Sequence, residues 1–315
     1  MIPLAEIEAA RERIAGAVLR TPLVRLQLPE SPAEIYLKLE NLQPIGSFKL
    51  RGALNAVKLI PSEELADGVV TASAGNMGQG LAWAARELGV SCTVVVPDHA
   101  PETKLAAIER LGGMVVKVPY ERWWEAIATS TTPDAPGRFV HPAEDDDVMA
   151  GNGTIGLEIL EDLPDPDAVL VPFGGGGLSV GIASAVRGLT PDVPVFAVEP
   201  EPAAALSASL AAGEPTEVAG TPSFVDGSGA PRLLPKMWPL AREALAGAFP
   251  VPIDDAAAAV RLLANRARVV AEGAGALALA AALAGRAGTG KIVCVVSGGN
   301  IDEAKLAAIL AGKTP

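Results

Sequence analysis

The chain has 315 residues, half of them hydrophobic and 20% charged, which is the composition of a folded protein and not of a disordered one. Its formal net charge of −12 argues against nucleic acid or an anionic membrane as the main partner. Two histidines and two cysteines are too few for a disulfide framework or a four-cysteine zinc site. The longest apolar stretch, residues 273–285, is shorter than the ~18 residues of a membrane helix, and no hydrophobic signal core opens the chain, so we expect a cytoplasmic protein.

Short apolar runs are each followed by a segment with helical periodicity. This alternation predicts parallel sheets with helices on both faces. A breaker-rich stretch, residues 129–138, is expected to be a surface loop that separates an early lobe from a later one. The predicted strands are 69–73, 92–97, 114–118, 168–173, 195–199 and 292–297, and the predicted helices are 78–88, 102–111, 121–129, 178–187, an alanine-rich segment after residue 199, and 302–310.

Lys49 lies in a segment, residues 46–53, where Ser47 could begin a helix. A lysine in the first turn opposes the positive end of the helix dipole, and a residue placed against its local rule is a candidate for function. Partial burial beside that dipole would lower the pKa of the amine, as a lysine that forms a Schiff base requires. Taken alone, the segment still favours an ordinary surface lysine.

Four consecutive glycines, residues 174–177, lie between a predicted strand and a predicted helix. The backbone N–H groups and the helix dipole at such a position favour a phosphate group. The run does not continue into the dinucleotide pattern G-x-G-x-x-G, because Ser179 and Val180 follow. Residues 177–181 match G-x-S-x-G, but both histidines precede them, which argues against a hydrolase triad.

Three other loops leave alternatives open. Residues 73–80 could hold a carboxylate, or could be an ordinary helix cap formed by Ser73 or Asn76. Residues 297–300 could bind a ligand or form a tight turn. Residues 141–147 fit no zinc spacing, and we interpret them as a solvated loop that precedes a helix starting at Gly153.

In this order, the segments closely resemble the fold type II pyridoxal-phosphate enzymes, specifically the threonine/serine dehydratase and serine racemase family. The resemblance implies an α/β fold like that of the tryptophan synthase β subunit, with two lobes that each contain parallel-rich sheets flanked by helices. Residues 1–52 and 144–315 would form a large cofactor-binding lobe, and residues 53–143 a small mobile lobe. The resemblance rests on residues 20–23, 39–43, 46–53, 73–80, 141–142, 150–154, 174–178, 226–227, 272–276 and 297–300.

The resemblance also implies the roles of individual residues. Lys49 would be catalytic and would bind pyridoxal 5′-phosphate as a Schiff base, with Phe48 beside the ring. Asn76 would bond the cofactor's 3′-oxygen, and Ser297 would meet its pyridine nitrogen. The cofactor phosphate would be held by Gly174, Gly175, Gly176, Gly177 and Leu178, and the substrate carboxylate by Ser73, Ala74, Gly75, Asn76 and Met77.

The activity implied is that of an ammonia-lyase (dehydratase), which converts an L-3-hydroxy amino acid of the threonine or serine type to a 2-oxo acid and ammonia. Alternatives are a serine or other amino-acid racemase, a β-replacement synthase, or a non-catalytic protein that binds a phosphate ligand. Racemases of the family carry a second serine where this chain has Ala74, which favours the dehydratase. Met77 and Asn152 depart from the family pattern, so the preferred 3-hydroxy amino acid stays open.

Two further expectations concern a cation and assembly. Glu199 and Ala203 align with the family's cation site, but Ala205 replaces its aspartate, so we expect at most a weak monovalent or divalent cation site. The resemblance implies a homodimer. No regulatory domain is expected after Pro315.

Overall fold

Parallel strands covered by helices build the computed structural model, which describes all residues from Met1 to Pro315. The ten strands are β1 (Leu23–Arg25), β2 (Glu34–Leu39), β3 (Val69–Ala72), β4 (Cys92–Pro97), β5 (Met114–Val118), β6 (Arg138–Phe139), β7 (Ala168–Pro172), β8 (Val195–Pro200), β9 (Gly247–Val251) and β10 (Lys291–Val296). The twelve helices are α1 (Leu4–Ile14), α2 (Lys49–Leu59), α3 (Asn76–Glu87), α4 (Glu102–Arg110), α5 (Tyr120–Thr129), α6 (Asp146–Asp162), α7 (Gly177–Leu189), α8 (Ala205–Ala212), α9 (Met237–Ala244), α10 (Ile253–Leu262), α11 (Gly273–Leu283) and α12 (Glu303–Leu310).

The strands form two sheets. The larger has six strands in the order β1-β2-β10-β7-β8-β9, and the smaller has four in the order β5-β4-β3-β6. All neighbours run parallel except β1, which is antiparallel to β2. The predicted α/β architecture with parallel-rich sheets is therefore confirmed.

Alternate residues along the central strands pack into different cores. In β10, Ile292, Cys294 and Val296 join a cluster with α10 and α11, whereas Val293 and Val295 join one with α1, α6 and α7. The small sheet likewise has α2, α3 and α4 on one face and α5 on the other. Short and almost wholly apolar strands fit this burial on both faces. None of the helices combines the length and the apolarity that a bilayer crossing requires.

The sheet order brings the predicted loops together. Strands β2, β10 and β7 are neighbours, and their carboxyl ends lead to residues 46–49, 297–300 and 174–177 respectively. In the small sheet, β3 leads to residues 73–77 at the corresponding edge. Ligands of open α/β sheets bind at the carboxyl ends of the strands, so the topology places all four segments where a site is expected.

Some elements differ from the sequence prediction. Helix α6 begins at Asp146, not at Gly153, because the Asp145 carboxylate accepts the N–H groups of Asp147 and Val148 and caps the helix there. Gly153 lies inside the helix, where a Cβ would come within 2.9 Å of the Gly181 carbonyl oxygen. Strands β1, β2, β6 and β9 were not predicted. Strands β1 and β6 are only three and two residues long, and β9 is an edge strand that contains a proline.

Candidate active site

A cavity of about 510 Å³ opens where the four loops meet. It brings together most of the predicted site residues. Gly176, Gly177 and Leu178 lie behind its wall, at the start of α7. The predicted residues that line the cavity are Phe48, Lys49, Ser73, Ala74, Gly75, Asn76, Met77, Gly174, Gly175 and Ser297.

Lys49 is the first residue of α2 and its amine faces the cavity. Its Nζ donates to the Pro142 carbonyl oxygen at 2.6 Å and lies 5.2 Å from the centre of the Phe48 ring. Burial lowers the pKa of the Lys49 amine from 10.5 to about 8. The interpretation as an ordinary surface lysine is therefore wrong, and the pKa is lowered in the direction that a lysine forming a Schiff base requires.

The segment that precedes Lys49 is tied to the end of β10. The Phe48 N–H donates to the Ser297 carbonyl at 3.0 Å, and the Gly299 N–H donates to the Gly46 carbonyl at 2.9 Å. The Ser47 hydroxyl accepts from the Lys49 N–H at 3.4 Å, and the residue that caps α2 is Phe48. These bonds set Lys49 beside Ser297 although 248 positions separate them (297 − 49).

A buried charge network holds the other side of α2. The Arg51 guanidinium donates to both carboxylate oxygens of Glu40, each at 2.8 Å, and to those of Glu158 at 2.7 and 2.9 Å. Lys38 donates to Glu158 at 2.5 Å. The four side chains are at most 7% exposed, and their two positive and two negative charges balance. The network joins β2, α2 and α6 two residues away from Lys49.

His141 supports the carbonyl group that holds Lys49. Its Nδ1 accepts the N–H groups of Ala143 at 3.0 Å and Glu144 at 2.7 Å, so the ring proton lies on Nε2, which donates to the Ile127 carbonyl at 3.1 Å. His141 is only 4% exposed, and burial lowers its pKa to about 4, so the ring is neutral. The interpretation of this segment as a solvated loop is wrong, because the ring packs between α5 and the turn before α6.

The loop after β3 is not an ordinary helix cap. The residue that caps α3 is Gly75, without a side-chain bond, and the Ser73 hydroxyl accepts only the Gly75 N–H, at 3.2 Å. Asn76 donates to Glu272 at 2.9 Å and accepts from Asn300 at 2.8 Å. Its amide is oriented by two side chains and keeps one further N–H.

Glu272 is a site residue to which the sequence reasoning gave no role. It lines the cavity and is 7% exposed, and its burial, together with the nearby Asp226, raises the pKa of the carboxyl to about 7. Its position in residues 272–276, one of the segments on which the family resemblance rests, is the sequence feature that could have indicated a role for Glu272. Its contact with Asn76 joins residues 196 positions apart, which no local pattern reveals.

The glycine run forms a turn that only glycine can adopt. Gly176 has φ +90°, and a Cβ there would lie 2.5 Å from the Cγ of Met237. Helix α7 starts at Gly177, so the N–H groups of its first turn have no partner within the helix. They and the dipole favour an anion at this point.

Comparison with known proteins agrees with this geometry. The family profile described as pyridoxal-phosphate dependent enzyme matches residues 14–298. The chain is 40% identical over 307 residues to L-threonine ammonia-lyase of Thermotoga maritima, an alignment that covers 96% of this chain and 76% of that protein.

The chain belongs to the pyridoxal-phosphate dependent enzymes. The crystal structure of a T.th. threonine deaminase matches with a TM-score of 0.88 and 37% identity, over 95% of this chain and 99% of the other. Serine racemase from Dictyostelium discoideum matches with a TM-score of 0.86 and 34% identity, over 96% and 99%. These relatives confirm that the chain is a fold type II enzyme of the threonine/serine dehydratase family.

The residues of the cavity fit the cofactor. Lys49 offers an amine with a lowered pKa, and the glycine turn offers N–H groups at a helix N-terminus. Replacing the hydrogen of Gly175 by a Cβ would bring it within 2.6 Å of the Ala143 Cβ, so the turn has no room for larger residues. A cofactor with an aldehyde and a phosphate group fits this cavity, because the amine can react with the aldehyde and the N–H groups can bind the phosphate.

The expected cation site has no support. The Glu199 carboxylate accepts hydrogen bonds from the Leu206 N–H and from both the N–H and the hydroxyl of Ser207, at 2.8–2.9 Å. The Ala203 carbonyl accepts the Ala230 N–H at 3.2 Å. Both groups that were expected to bind a cation are occupied by protein hydrogen bonds.

The two departures from the family pattern differ in position. Met77 touches the cavity but is only 1% exposed and packs in the core of the small sheet. Asn152 is completely buried beneath α7, where its amide donates to the Gly177 carbonyl at 3.4 Å. Met77 therefore contributes little to the cavity surface, and Asn152 contributes nothing.

We expect Gly176→Ala to weaken cofactor binding. The αL backbone costs a residue with a Cβ about 1–2 kcal/mol, and the contact with Met237 forces the turn to move. The dissociation constant of pyridoxal phosphate, measured by absorbance titration, should rise at least about tenfold. Gly213→Ala is the matched control, because Gly213 has φ +79° but nothing within 4 Å of its Cβ position. Equal affinities in the two variants would contradict this prediction.

We expect His141→Phe to destabilise the fold by about 2–5 kcal/mol, since it leaves two N–H groups and one carbonyl without their partner. Urea denaturation measures the effect. His99→Phe is the control, because the His99 side chain is 66% exposed and its replacement should change stability by less than about 0.5 kcal/mol. Similar stability of both variants would show that the ring does not hold the turn.

Proposed function

We propose that the protein is a pyridoxal-phosphate-dependent ammonia-lyase that converts an L-3-hydroxy amino acid of the threonine or serine type to a 2-oxo acid and ammonia. The observation that carries the proposal is Lys49, an amine with a pKa of about 8 in a cavity that also contains a glycine turn and a second loop of small polar residues. The names of the threonine ammonia-lyase and threonine deaminase relatives support the substrate class.

In the proposed site, pyridoxal phosphate supplies the conjugated ring that acidifies the α-hydrogen of a bound amino acid. Lys49 would hold it covalently, Phe48 would lie beside the ring, and Ser297 would meet the ring nitrogen. Asn76 would bond the 3′-oxygen through its remaining N–H. The phosphate would be held by the N–H groups of Gly174, Gly175, Gly176, Gly177 and Leu178.

The protein's own part of the reaction is proton transfer at Lys49 Nζ. Once the substrate has displaced it, the neutral amine would accept the α-proton as a general base. The loop formed by Ser73, Ala74, Gly75, Asn76 and Met77 would hold the substrate carboxylate. The substrate loses its α-hydrogen and its 3-hydroxyl as water, and hydrolysis by another water gives the 2-oxo acid and ammonia.

Racemisation is the second candidate, because serine racemase matches the fold at 34% identity. A racemase must deliver a proton to the face of the α-carbon opposite Lys49. Ala74 lines the cavity in the carboxylate loop but has no proton to give. This residue favours elimination over racemisation.

We also propose that residues 53–143 move as a small lobe over the substrate. The ion pair between Lys104 in α4 and Asp226, which joins Nζ and Oδ2 at 2.8 Å, supports the proposal because it crosses the cavity from one lobe to the other. Partly exposed pairs contribute little stability, so opening would be easy.

We expect the apo-protein to bind pyridoxal phosphate covalently with a rate that rises as the pH increases through about 8. Only the neutral amine attacks the aldehyde, and burial lowers the pKa of Lys49, so the neutral form predominates above pH 8 and not only above 10.5. Stopped-flow absorbance measures the rate, and borohydride reduction followed by mass spectrometry identifies the lysine.

Lys49→Ala should give no visible absorbance band, whereas Lys104→Ala, which changes the other lysine of the cavity, should keep it. A midpoint near pH 10.5 would contradict the desolvated environment. A visible band that survives in Lys49→Ala would contradict the role of Lys49.

We expect more oxo acid than D-isomer from any L-3-hydroxy amino acid that the enzyme accepts, because Ala74 cannot reprotonate the opposite face. Chiral chromatography and an oxo-acid assay measure both products. Ala74→Ser should raise the ratio of D-isomer to oxo acid, and Ala53→Ser, in the buried part of α2, should leave it unchanged. A wild-type enzyme that makes mainly the D-isomer would reverse the assignment.

A further inference from the structure

An aromatic wall, defined here as His99, Tyr120, Trp123 and Trp124, lies on the small-sheet side, and two of its members, His99 and Trp123, line the cavity. Ring centres are 6.0 Å apart for His99 and Tyr120, 5.6 Å for Tyr120 and Trp123, and 6.3 Å for Trp123 and Trp124. The whole chain contains only 4 Trp, 2 Tyr and 6 Phe. Tyr120 is 47% exposed, and both tryptophans are half-buried, so each packs against the core of the small sheet with only part of its ring.

Trp123 is the member of the wall that reaches the cavity from α5, together with Ile127 one helical turn later. Its indole N–H is buried without an acceptor, so the ring is held by packing alone. Trp123 lines the cavity with a half-buried aromatic ring, and such a ring favours apolar or aromatic partners.

The position of the wall identifies the part of the substrate it would contact. The substrate nitrogen must reach the cofactor at Lys49, and its carboxylate would lie in the loop after β3. The lining residues that remain for the side chain include His99, Trp123 and Ile127 of the small-sheet side and residues 226–229 opposite.

The charges of this region disfavour an acidic side chain. Lys104 lines the cavity and is paired with Asp226 at 2.8 Å, whereas Arg232 lies over the Trp124 ring, 5.0 Å from its centre, and does not line this cavity. Asp226 and Glu272 are both acidic and line the same cavity. Apart from Lys49, the cavity lining offers a negatively charged side chain only the paired Lys104 and two carboxylates, whereas a neutral aromatic ring meets Trp123 and Ile127.

We propose that the aromatic wall determines specificity, and that the preferred substrate is an L-3-hydroxy amino acid whose 3-substituent is aromatic, of the 3-phenylserine class. The inference rests on the proposed lyase function. Trp123 would contact the substrate ring, and Ile127 would flank it.

Steady-state oxo-acid assays on the holoenzyme test the inference. The kcat/KM for L-threo-3-phenylserine should exceed that for L-threonine at least about tenfold, the scale of one buried aromatic contact. Trp123→Leu should lower this ratio about tenfold. Trp238→Leu is the matched control, since Trp238 lies in α9 against Arg242, away from the cavity, and it should leave the ratio unchanged.

A binding measurement separates this inference from the lyase function. L-phenylalanine and L-2-aminobutyrate lack the 3-hydroxyl and cannot lose water, so calorimetry reports their affinity without turnover. Phenylalanine should bind the wild-type holoenzyme about tenfold more tightly, and Trp123→Leu should remove the difference.

The outcomes are distinguishable. Turnover of threonine without a preference for phenylserine, or equal effects of Trp123→Leu and Trp238→Leu, would overturn the aromatic specificity and leave the lyase function standing. Tighter binding of phenylalanine without oxo acid from either substrate would overturn the lyase function and support the wall. A preference for phenylserine that depends on Trp123 supports both.

Discussion

The position of Lys49 depends on a charge network that is buried in the protein. Arg51, Glu40, Glu158 and Lys38 link the end of β2, the first turn of α2 and the middle of α6. Loss of one partner from such a network costs about 3–5 kcal/mol, because a buried charge is then left unpaired. The network therefore fixes α2, and α2 fixes the position of Lys49. A lysine opposed to the helix dipole can be held here because the helix is anchored by stronger interactions two residues further on.

Burial, and not a neighbouring charge, sets the reactivity of Lys49. Its lowered pKa results from desolvation alone, and the nearest polar partner is the Pro142 carbonyl, which carries no charge. That carbonyl belongs to the turn held by the neutral ring of His141. The scarcity of histidine and cysteine in the chain is consistent with the proposed function, in which one amine and several backbone N–H groups would bind the cofactor and no catalytic triad is needed.

Local sequence patterns predict the elements that are determined by residues close together in the chain. The apolar strands, the glycine turn before α7 and the unusual place of Lys49 could all be predicted, as could the parallel sheets. Two of the misses result from contact between distant parts of the chain, and the third results from a local choice among neighbouring acidic residues. The burial of His141 depends on α5, the role of Glu272 depends on Asn76, and the start of α6 depends on a cap at Asp145 that competes with several other acidic residues. The identity of the cofactor could be predicted only from the resemblance of all the motifs to one family, because no single motif specifies pyridoxal phosphate.

The two sheets contribute different parts of the site, so one part can change in sequence while the other is kept. The large sheet carries the glycine turn, Ser297 and the anchor of α2, all at the carboxyl ends of three adjacent strands, so a change in one of these loops disturbs its neighbours. The small sheet contributes Ala74, Met77 and Trp123 from separate helices and turns. Met77, which departs from the family pattern, and Ala74, which differs from the serine of the racemases, both line the cavity on the small sheet's side. Under the proposed function, the chemistry is held by the rigid edge of one sheet, and the choice of substrate can vary on the other without disturbing Lys49.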